Sequence, residues 1–261
     1  MGTSEGTALR PAGIGEAEWA RRLQLAACYH LFDFFGWTES IFNHISVRVP
    51  GPQHQYLMNP FGLNYCEVTA SNLIKVDVEG NIVEASPYPG NPAGFAIHGA
   101  IHEAREDAQC VIHTHTTAGM AVACKDAGLS HDDFYGAQLY GHVAYHEFEG
   151  VTVRSDERTR LIKSLGDRCI LILRNHGLLV VGPDLPTAFL RYWTLQRACE
   201  VQAAAASISG PGRLLTEAVR RQTGVDQKRF DPDGRLAQVV FDASVRRMEM
   251  TRARRFVDFR V

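Results

Sequence analysis

The chain has 261 residues, with 27 lysines and arginines, 29 aspartates and glutamates and a formal net charge of -2. A charge this close to zero leaves no basic footprint for nucleic acid or an anionic membrane, so we expect a small-molecule partner. The six cysteines are scattered without C-x-x-C spacing, and no apolar run approaches the length of a membrane span. We therefore expect a cytoplasmic protein with no membrane anchor and no disulfides.

The first third of the chain predicts a flexible tail over 1–15, then one helix and several antiparallel strands. The tail is rich in Gly, Thr and Ser. Apolar residues recur at helical spacing from Glu16 to Phe35, and Gly36 follows as a C-cap. Alternating patterns between turn residues then predict strands over 41–49, 55–58, 73–78 and 82–83.

The rest of the chain interleaves helices with short buried strands. Asn91 as N-cap and Pro92 at the first helical position predict a helix over 93–105. Without a regular β-α-β period, the pattern predicts one α/β domain with a mixed sheet over 16–208, followed by a helical extension over 209–261. The other predicted elements are strands over 109–115, 143–145, 169–173 and 178–181, and helices over 118–125, 156–165 and 185–206.

Two histidines, His113 and His115, stand one residue apart at the end of a predicted buried strand. Residues two apart on a strand share a face, so both imidazoles point the same way. That arrangement suits a divalent ion, and it suits two hydrogen-bonded polar caps equally well. His176 follows another buried strand, where Asn175 and Gly177 can supply the positive φ of a sharp turn. Adjacent strand ends would bring three imidazoles together, whereas a plain hairpin turn is the alternative.

Three further histidines lie where a site could include them. His98 and His102 are four residues apart and share one face of a predicted helix. Their spacing does not form H-E-x-x-H, so we interpret them as structural residues near the site. His44 lies in a segment rich in polar side chains, which favours a ligand-facing position.

Three segments of the chain together resemble the class II aldolase/adducin family. The resemblance runs from about 17 to about 206, and it is closest to the adducin-like bacterial branch. It implies an α/β/α sandwich around a mixed, largely antiparallel sheet, assembled as a homotetramer with active sites at subunit boundaries. The matching segments are NHISVRVPG (43–51) with NPFGL (59–63) and EVTASNL (67–73), NPAGFAIHGAIHEAREDAQCVIHTHT (91–116), and LRNHGLLVVG (173–182).

The resemblance implies that His113, His115 and His176 bind a catalytic divalent metal, zinc first, with Fe(II), Mn or Co as alternatives. The sugar-phosphate aldolases carry a glutamate, both ligand and base, four residues before the position of His98, and this chain has Gly94 there. Their phosphate-binding segments are also altered, which argues against a phosphorylated substrate. The remaining site candidates are Glu67, His44, Tyr135 and Tyr140 for catalysis, and Asn43, Asn59, Phe61 and Gly62 for substrate binding.

Three neutral imidazoles would leave the charge of the ion uncompensated and several coordination positions open, which favours an anionic bidentate ligand. We therefore expect a metal-dependent lyase that cleaves a carbon–carbon bond of a small oxo- or hydroxy-acid. The first alternative is a non-haem Fe(II) oxygenase on the same ligands, by analogy with other open iron sites. The second alternative is a non-catalytic adducin-like module.

Overall fold

The computed structural model describes residues 10–154 and 156–252. Residues 1–9 of the predicted tail and 253–261 of the predicted extension lie outside the described residues. Ile14, near the end of the predicted tail, packs against Trp19 and its neighbours on the first helix. The boundaries at 15 and 208 stay predictions.

One mixed sheet forms the centre of the described fold. Its seven strands run in the order β3-β2-β1-β4-β7-β6-β5, and every neighbouring pair is antiparallel except β5 and β6. This confirms the predicted α/β fold with a mixed, largely antiparallel sheet. The strands are β1 His44–Arg48, β2 Tyr56–Met58, β3 Ile74–Val76, β4 Cys110–Thr114, β5 Val143–His146, β6 Ile170–Leu173 and β7 Gly177–Gly182.

Helices cover both faces of the sheet. The helix predicted over 185–206 is present with those bounds, and the first predicted helix ends at Gly36 in the left-handed conformation. The helices are α1 Glu16–Phe35, α2 Pro92–Gly94, α3 Ala100–Ala104, α4 Thr117–Ala123, α5 Phe134–Gln138, α6 Glu157–Leu165, α7 Leu185–Ala206, α8 Glu217–Phe230 and α9 Leu236–Arg252, with a 3-10 turn at Tyr65–Glu67.

Strand parity divides the core into two layers. Ile112 of β4 faces the aromatic layer of α1 and α7, where Phe32 and Tyr192 lie with ring centroids 4.7 Å apart. Val111 faces the opposite way, toward Ile101 of α3 and the leucines of α6. Each large apolar side chain removed from water on either face contributes about 1.5–3 kcal/mol. The sheet is therefore the middle layer of an α/β/α sandwich.

The helix predicted over 93–105 is interrupted in its middle. Between α2 and α3 the turn Phe95–Gly99 is π-helical, with one residue more than an α-helical turn. The periodicity of apolar residues could not predict this, because a single extra residue leaves the pattern recognisable on either side. This π turn carries His98, so it decides where that imidazole points.

Two short elements also differ from the sequence predictions. The residues 82–83 do not form a strand of the sheet, and Ile82 makes one isolated bridge to Val76. The helix α5 was not predicted, because its five residues are too short to show a helical period; the Asp133 carboxylate caps it by accepting two backbone N–H groups.

Beyond residue 208 the chain forms α8 and α9. The described residues of α8 are all exposed or half-buried, whereas α9 packs Phe241 and Met248 into the core beside α1 and α7. Among the described residues, no helix combines the length and the apolarity that a bilayer span requires.

Candidate metal centre

The sheet brings His113, His115 and His176 together. Strand β4 pairs with β7 so that His113 lies opposite Leu179, and the end of β4 therefore meets the start of β7, directly after His176. One ring nitrogen from each of the three imidazoles lies within 4.8 Å of the others. Among the described residues, these are the three His, Cys, Asp or Glu side chains that lie close enough together to share one ion.

A backbone hydrogen bond fixes the tautomer of His113. Its Nδ1 lies 2.9 Å from the carbonyl oxygen of Leu178. Because a carbonyl only accepts, Nδ1 carries the proton and Nε2 keeps its lone pair, which is the arrangement found in metal-binding histidines. Nε2 of His115 lies 2.9 Å from this Nε2. Two nitrogens bound to one zinc at about 2.0–2.1 Å lie roughly 3 Å apart, so the spacing fits a shared ion.

Helix α7 holds the segment that carries His115. The hydroxyls of Thr114 and Tyr192 are 2.9 Å apart, and the Thr116 hydroxyl donates to Gln196 Oε1 at 2.7 Å. Thr116 also caps α4, by accepting the backbone N–H of residue 119. His115 therefore stands between two anchored threonines, in a connection too short to move far.

Asn43 positions His115 through the backbone. Its Oδ1 accepts the His115 backbone N–H at 3.0 Å, and its Nδ2 donates to the carbonyl of Trp37 at 3.1 Å. With both ends of its amide engaged, Asn43 joins the start of β1 to the end of β4. The predicted role of Asn43 in substrate binding stays a prediction, and the contact that the geometry shows holds the backbone of His115 in place.

The turn that carries His176 is shaped by its two neighbours in different ways. Asn175 has a φ of 55°, the positive value that the sequence predicted. Gly177 does not have a positive φ, and it is needed for another reason. A Cβ at this position would lie 2.3 Å from the Thr114 carbonyl oxygen and 3.0 Å from His115 Cδ2. The close approach of β7 to the end of β4 therefore requires a glycine.

The three imidazoles are neutral near pH 7. Burial, together with the neighbouring imidazoles of His176 and His115, lowers the pKa of His113 well below its ordinary value. Burial lowers the pKa of His115 as well, and burial with neighbouring imidazoles lowers that of His176 to about 4. A neutral imidazole has the lone pair that a divalent ion needs, so the donor set fits a metal such as zinc.

A side chain at Gly94 would be tightly packed against Met58 and His44. A Cβ on Gly94 would lie 3.2 Å from both Cε and Sδ of Met58 and 3.4 Å from Cδ2 of His44. Met58 is fully buried, and His44 lies with its ring centroid 4.9 Å from that of His113. The space next to the triad is therefore filled by a thioether and an imidazole.

A second group of polar side chains, which we call the relay, lies buried behind the triad. It consists of His44, His98, Ser46 and His102, joined in that order. The His44 Nδ1 and His98 Nε2 atoms are 2.7 Å apart, and the Ser46 hydroxyl lies 2.6 Å from His98 Nδ1 and 2.7 Å from His102 Nε2. The far end is the Ala108 carbonyl oxygen, 2.9 Å from His102 Nδ1. His44 is the first residue of β1, within the strand predicted over 41–49.

Two of the predicted site residues have structural partners. The Glu67 carboxylate accepts the backbone and side-chain N–H groups of Asn64, both at 2.8 Å, and so caps the surface 3-10 turn. The Asn59 Oδ1 accepts from the Tyr29 hydroxyl at 2.9 Å, in the buried core. Neither contact involves the triad. The predicted roles of Glu67 in proton transfer and of Asn59 in substrate binding stay predictions.

The two candidate tyrosines lie on the α5 side of the subunit. Tyr135 packs edge-on against Trp193, with ring centroids 5.6 Å apart. The Tyr140 hydroxyl donates to Glu217 of α8 at 3.4 Å. Within the described chain these contacts do not reach the triad of the same subunit. The catalytic role of either tyrosine stays a prediction.

The remaining substrate-binding candidates and one further aromatic residue lie on the surface. Phe61 is half-buried and donates its backbone N–H to the Pro89 carbonyl, and Gly62 is exposed with a φ of 102°. Phe148, which the sequence did not single out, places its ring centroid 6.3 Å from that of His176. Its signal was weak, because one aromatic residue in a polar loop has no pattern.

The chain is similar to class II aldolases and adducins throughout its central part. The sequence profile of the Class II Aldolase and Adducin N-terminal domain matches residues 23–203. A protein of Pseudomonas aeruginosa whose name places it with the class 2 aldolases is 46% identical over 231 residues, 87% of this chain and 89% of that protein. The crystal structure of an aldolase II superfamily protein from Pseudomonas syringae has a TM-score of 0.82 and 39% identity, covering 91% of this chain and 95% of that one.

Two other similarities point in different functional directions. Rat alpha-adducin is 45% identical over 198 residues, which are 74% of this chain and 27% of the adducin. L-fuculose 1-phosphate aldolase from Glaciozyma antarctica has a TM-score of 0.80 and 26% identity, covering 97% of this chain and 98% of that one.

Proposed function

The chain belongs to the class II aldolase and adducin family, and on this premise we propose that it is a metal-dependent lyase. The proposed reaction cleaves a carbon–carbon bond of a small oxo- or hydroxy-acid, by retro-aldol cleavage or decarboxylation. Its ligands are His113, His115 and His176. We further propose that the protein acts as a homotetramer in the cytoplasm, with zinc as the leading candidate metal.

The observation that carries this proposal is the convergence of three neutral imidazoles at one point. Their nitrogens lie within 4.8 Å of one another, and the Leu178 carbonyl holds the His113 Nε2 lone pair toward the other two rings. A structural role needs no such convergence, because each imidazole could be satisfied separately by backbone groups. Three buried or half-buried imidazoles with lowered pKa values lose little on binding a cation, since none has to release a proton.

A divalent ion bound there supplies Lewis-acid chemistry that polarises a carbonyl or stabilises negative charge on oxygen. The chain's own residues supply the placement. Asn43 and Thr116 hold His115, the Leu178 carbonyl orients His113, and the half-buried faces of His115 and His176 leave the site open on one side. A small chelating acid can therefore approach from that side. The proton carriers remain Glu67, Tyr135 and Tyr140 as predicted candidates.

The relay favours a substrate without a phosphate group. In the segment that would bind phosphate in sugar-phosphate aldolases, the Ser46 hydroxyl is fully buried and already hydrogen-bonded to His98 and His102. The His44 side chain is buried beside it, with only 2% of its surface exposed. The Ser46 hydroxyl is therefore not available to a phosphate, which would give up its hydration there without gaining this donor in exchange.

The similarity to rat alpha-adducin favours a second candidate function, a non-catalytic module. Retention of three converging imidazoles argues against it, because a domain used only for assembly gains nothing from them. The alternative makes a clear prediction, which is that the purified protein binds no stoichiometric divalent ion.

Metal analysis of protein purified without chelator tests the proposal. We expect about one zinc per chain, and release of an aldehyde or carbon dioxide from a panel of 2-oxo and 2-hydroxy acids without oxygen uptake. His142→Ala is the matched control, because His142 is an exposed imidazole outside the triad and the relay. This variant should keep both metal and activity, whereas His176→Ala should lose both.

The other outcomes identify the alternatives. Stoichiometric iron with oxygen uptake in the presence of a 2-oxo acid would replace the lyase with a non-haem Fe(II) oxygenase on the same ligands. Protein without stoichiometric metal, and without turnover after incubation with zinc, manganese, cobalt or Fe(II), would establish the non-catalytic module.

A further inference from the structure

The donor and the acceptor of each hydrogen bond in the relay can be assigned from the chemistry of its groups. The Ala108 carbonyl can only accept, so the His102 Nδ1 beside it must donate and must carry the proton. In a neutral imidazole the other nitrogen then has a lone pair and can only accept. His102 Nε2 therefore accepts from the Ser46 hydroxyl. One backbone group thus determines the protonation of the ring six residues earlier.

The same argument continues to the other end. The Ser46 hydroxyl has given its one hydrogen to His102, so its oxygen must accept from His98 Nδ1. His98 Nε2 is then an acceptor, and His44 Nδ1 donates to it. By elimination His44 carries its proton on Nδ1, and its Nε2 has a lone pair. Each step follows from the previous one, so no alternative arrangement of hydrogens satisfies all four bonds.

The premise that these rings are neutral follows from their burial. His98 and His102 are fully buried and His44 is 2% exposed. Burial lowers the pKa of His102 to about 3 and that of His98 well below its ordinary value. A carboxylate partner for these rings is absent from the relay in the described part of the chain.

The His44 ring stands beside the triad. It lies opposite His113 in the pairing of β1 with β4, and the two ring centroids are 4.9 Å apart. The described residues offer no hydrogen-bond partner to His44 Nε2, whereas Nδ1 is held by His98. On another edge the ring fills the space next to Gly94. The His44 ring therefore belongs to the wall of the candidate metal centre, and the described residues leave its Nε2 lone pair unused.

We propose that the relay locks His44 as a hydrogen-bond acceptor, so that the site selects ligands that bring a hydroxyl donor to the metal. This inference rests on the proposed function and narrows its substrate class. A 2-hydroxy acid can chelate an ion at the triad and donate its hydroxyl hydrogen to Nε2. A 2-oxo acid of the same size has no hydrogen at that position, and leaves the lone pair facing another lone pair. His44 is then a specificity residue, and Ser46, His98 and His102 are positioning residues.

Nitrogen NMR of the zinc-loaded protein with labelled histidines reads the tautomer directly. We expect the His44 Nδ1 resonance in the range of protonated imidazole nitrogen and Nε2 in the range of nitrogens with a lone pair. The assignment comes from the signals that disappear in His44→Gln. A proton on Nε2 of His44, or exchange between the two tautomers in the wild-type protein, would overturn the proposal without reference to activity.

Binding of lactate and pyruvate to the zinc-loaded protein tests the selection. The two acids have the same carbon skeleton and differ at the reacting oxygen. We expect lactate to bind about tenfold more tightly, because a buried acceptor without a donor is unfavourable. Calorimetry measures both dissociation constants in the absence of turnover, and the ratio of the two is the quantity of interest.

Ser46→Ala separates the tautomer lock from packing. The variant removes the hydroxyl that determines which nitrogen of His98 carries the proton. His98 and His44 can then exchange donor and acceptor roles. We expect two His44 tautomers and an unchanged zinc content. The ratio of the dissociation constants of lactate and pyruvate should approach the ratio for their complexes with free zinc in water. His142→Ala, outside the relay, should keep one tautomer and the full preference. An unchanged ratio and a single tautomer in Ser46→Ala would overturn the role given to the relay.

Failure of this inference is distinguishable from failure of the proposed function. Equal affinity for lactate and pyruvate in a protein that holds zinc and cleaves an oxo-acid would overturn the hydroxyl selection and leave the lyase proposal in place. A protein that holds no divalent ion would overturn the lyase proposal, and the hydroxyl selection with it.

Discussion

The triad and the relay are built from the same residue type, lie a few ångströms apart and have opposite properties. In the triad, His115 and His176 are only half-buried, and the ring nitrogens converge on one point. In the relay, the imidazoles of His98 and His102 are fully buried, and both nitrogens of each ring are hydrogen-bonded. The triad presents lone pairs to a common centre, whereas the rings of His98 and His102 use theirs within the relay.

This difference shows that the partner of the second nitrogen decides what a buried histidine can do. In His113 the Leu178 carbonyl takes one nitrogen and leaves the other for the site. In His98, two polar neighbours take both nitrogens, so the ring has none left to bind an ion. A count of histidines in the sequence cannot make this distinction, because it depends on which backbone carbonyls and hydroxyls lie within reach.

Removal of one triad imidazole should have the largest effect. In His113→Ala we expect the affinity for zinc to fall more than about 100-fold, since loss of an outer partner alone costs 10–100-fold and a direct ligand contributes more. Metal content after dialysis against a zinc buffer measures this. His98→Asn is the matched control and should keep its metal. Comparable loss of zinc in His113→Ala and His98→Asn would show that the triad and the relay do not differ in metal binding.

A carboxylate at position 94 would test how tightly the two groups are packed against each other. We expect Gly94→Glu to lower the free energy of unfolding by about 1–3 kcal/mol, because overpacking forces buried side chains out of their preferred rotamers. The pairing of Gly94→Glu with Met58→Ala should recover part of the loss, since Met58 occupies the required space. Urea unfolding of the two single variants and the double variant gives the coupling. Strictly additive effects would show that Met58 does not occupy this space.

The relay should make the protein sensitive to acid. His102 has a pKa of about 3 in the folded chain, below its ordinary value of 6.5. Between these values the unfolded state binds a proton that the folded state does not, so stability present above pH 6.5 is lost as the pH falls toward 3. Between pH 7 and pH 5 the loss from one such ring is about 2 kcal/mol.

The variant His102→Asn isolates this contribution. Its side-chain amide can still donate toward the Ala108 carbonyl but does not titrate in this range. We expect the free energy of unfolding, measured in urea at pH 7 and pH 5, to fall less in the variant than in the wild type by about 2 kcal/mol. An equal fall in the free energy of unfolding from pH 7 to pH 5 in both proteins would mean that His102 is not held neutral.

A residue outside both groups should give the smallest effect. Tyr140→Phe removes a long hydrogen bond between exposed side chains, so we expect stability to change by less than about 0.5 kcal/mol and metal content to remain the same. Thermal unfolding and metal analysis measure these two quantities. A large loss of turnover with metal retained would give Tyr140 a proton-transfer role at a neighbouring subunit's site.

Much of the fold and the positions of the triad could be predicted from the sequence. The parity of His113 and His115 and the turn residue Asn175 follow from local rules, since strands alternate and asparagine tolerates a positive φ. The requirement for Gly177 has another origin. It depends on contact with Thr114, which is distant along the chain and becomes a neighbour only when β4 and β7 pair.

The relay could not be predicted for the same reason. His98 and His102 share one face, as their spacing predicts, with ring centroids 6.5 Å apart, and their structural role stays a prediction. Their connection runs through Ser46 on a different strand and through a backbone carbonyl, which carries no side-chain signal in a sequence. His44 lies in β1, inside the strand predicted over 41–49, but the sequence could not show that its Nδ1 lies 2.7 Å from His98 Nε2.

The π turn at Phe95–Gly99 constrains the length of this segment more than its composition. Each residue advances an α-helix by about 100°, so deletion of a single residue here would rotate Gly94 by about that angle relative to His102. Gly94 would then turn away from Met58 and His44, whose side chains now lie next to it. Natural and engineered variants of this segment should therefore accumulate substitutions while insertions and deletions remain absent.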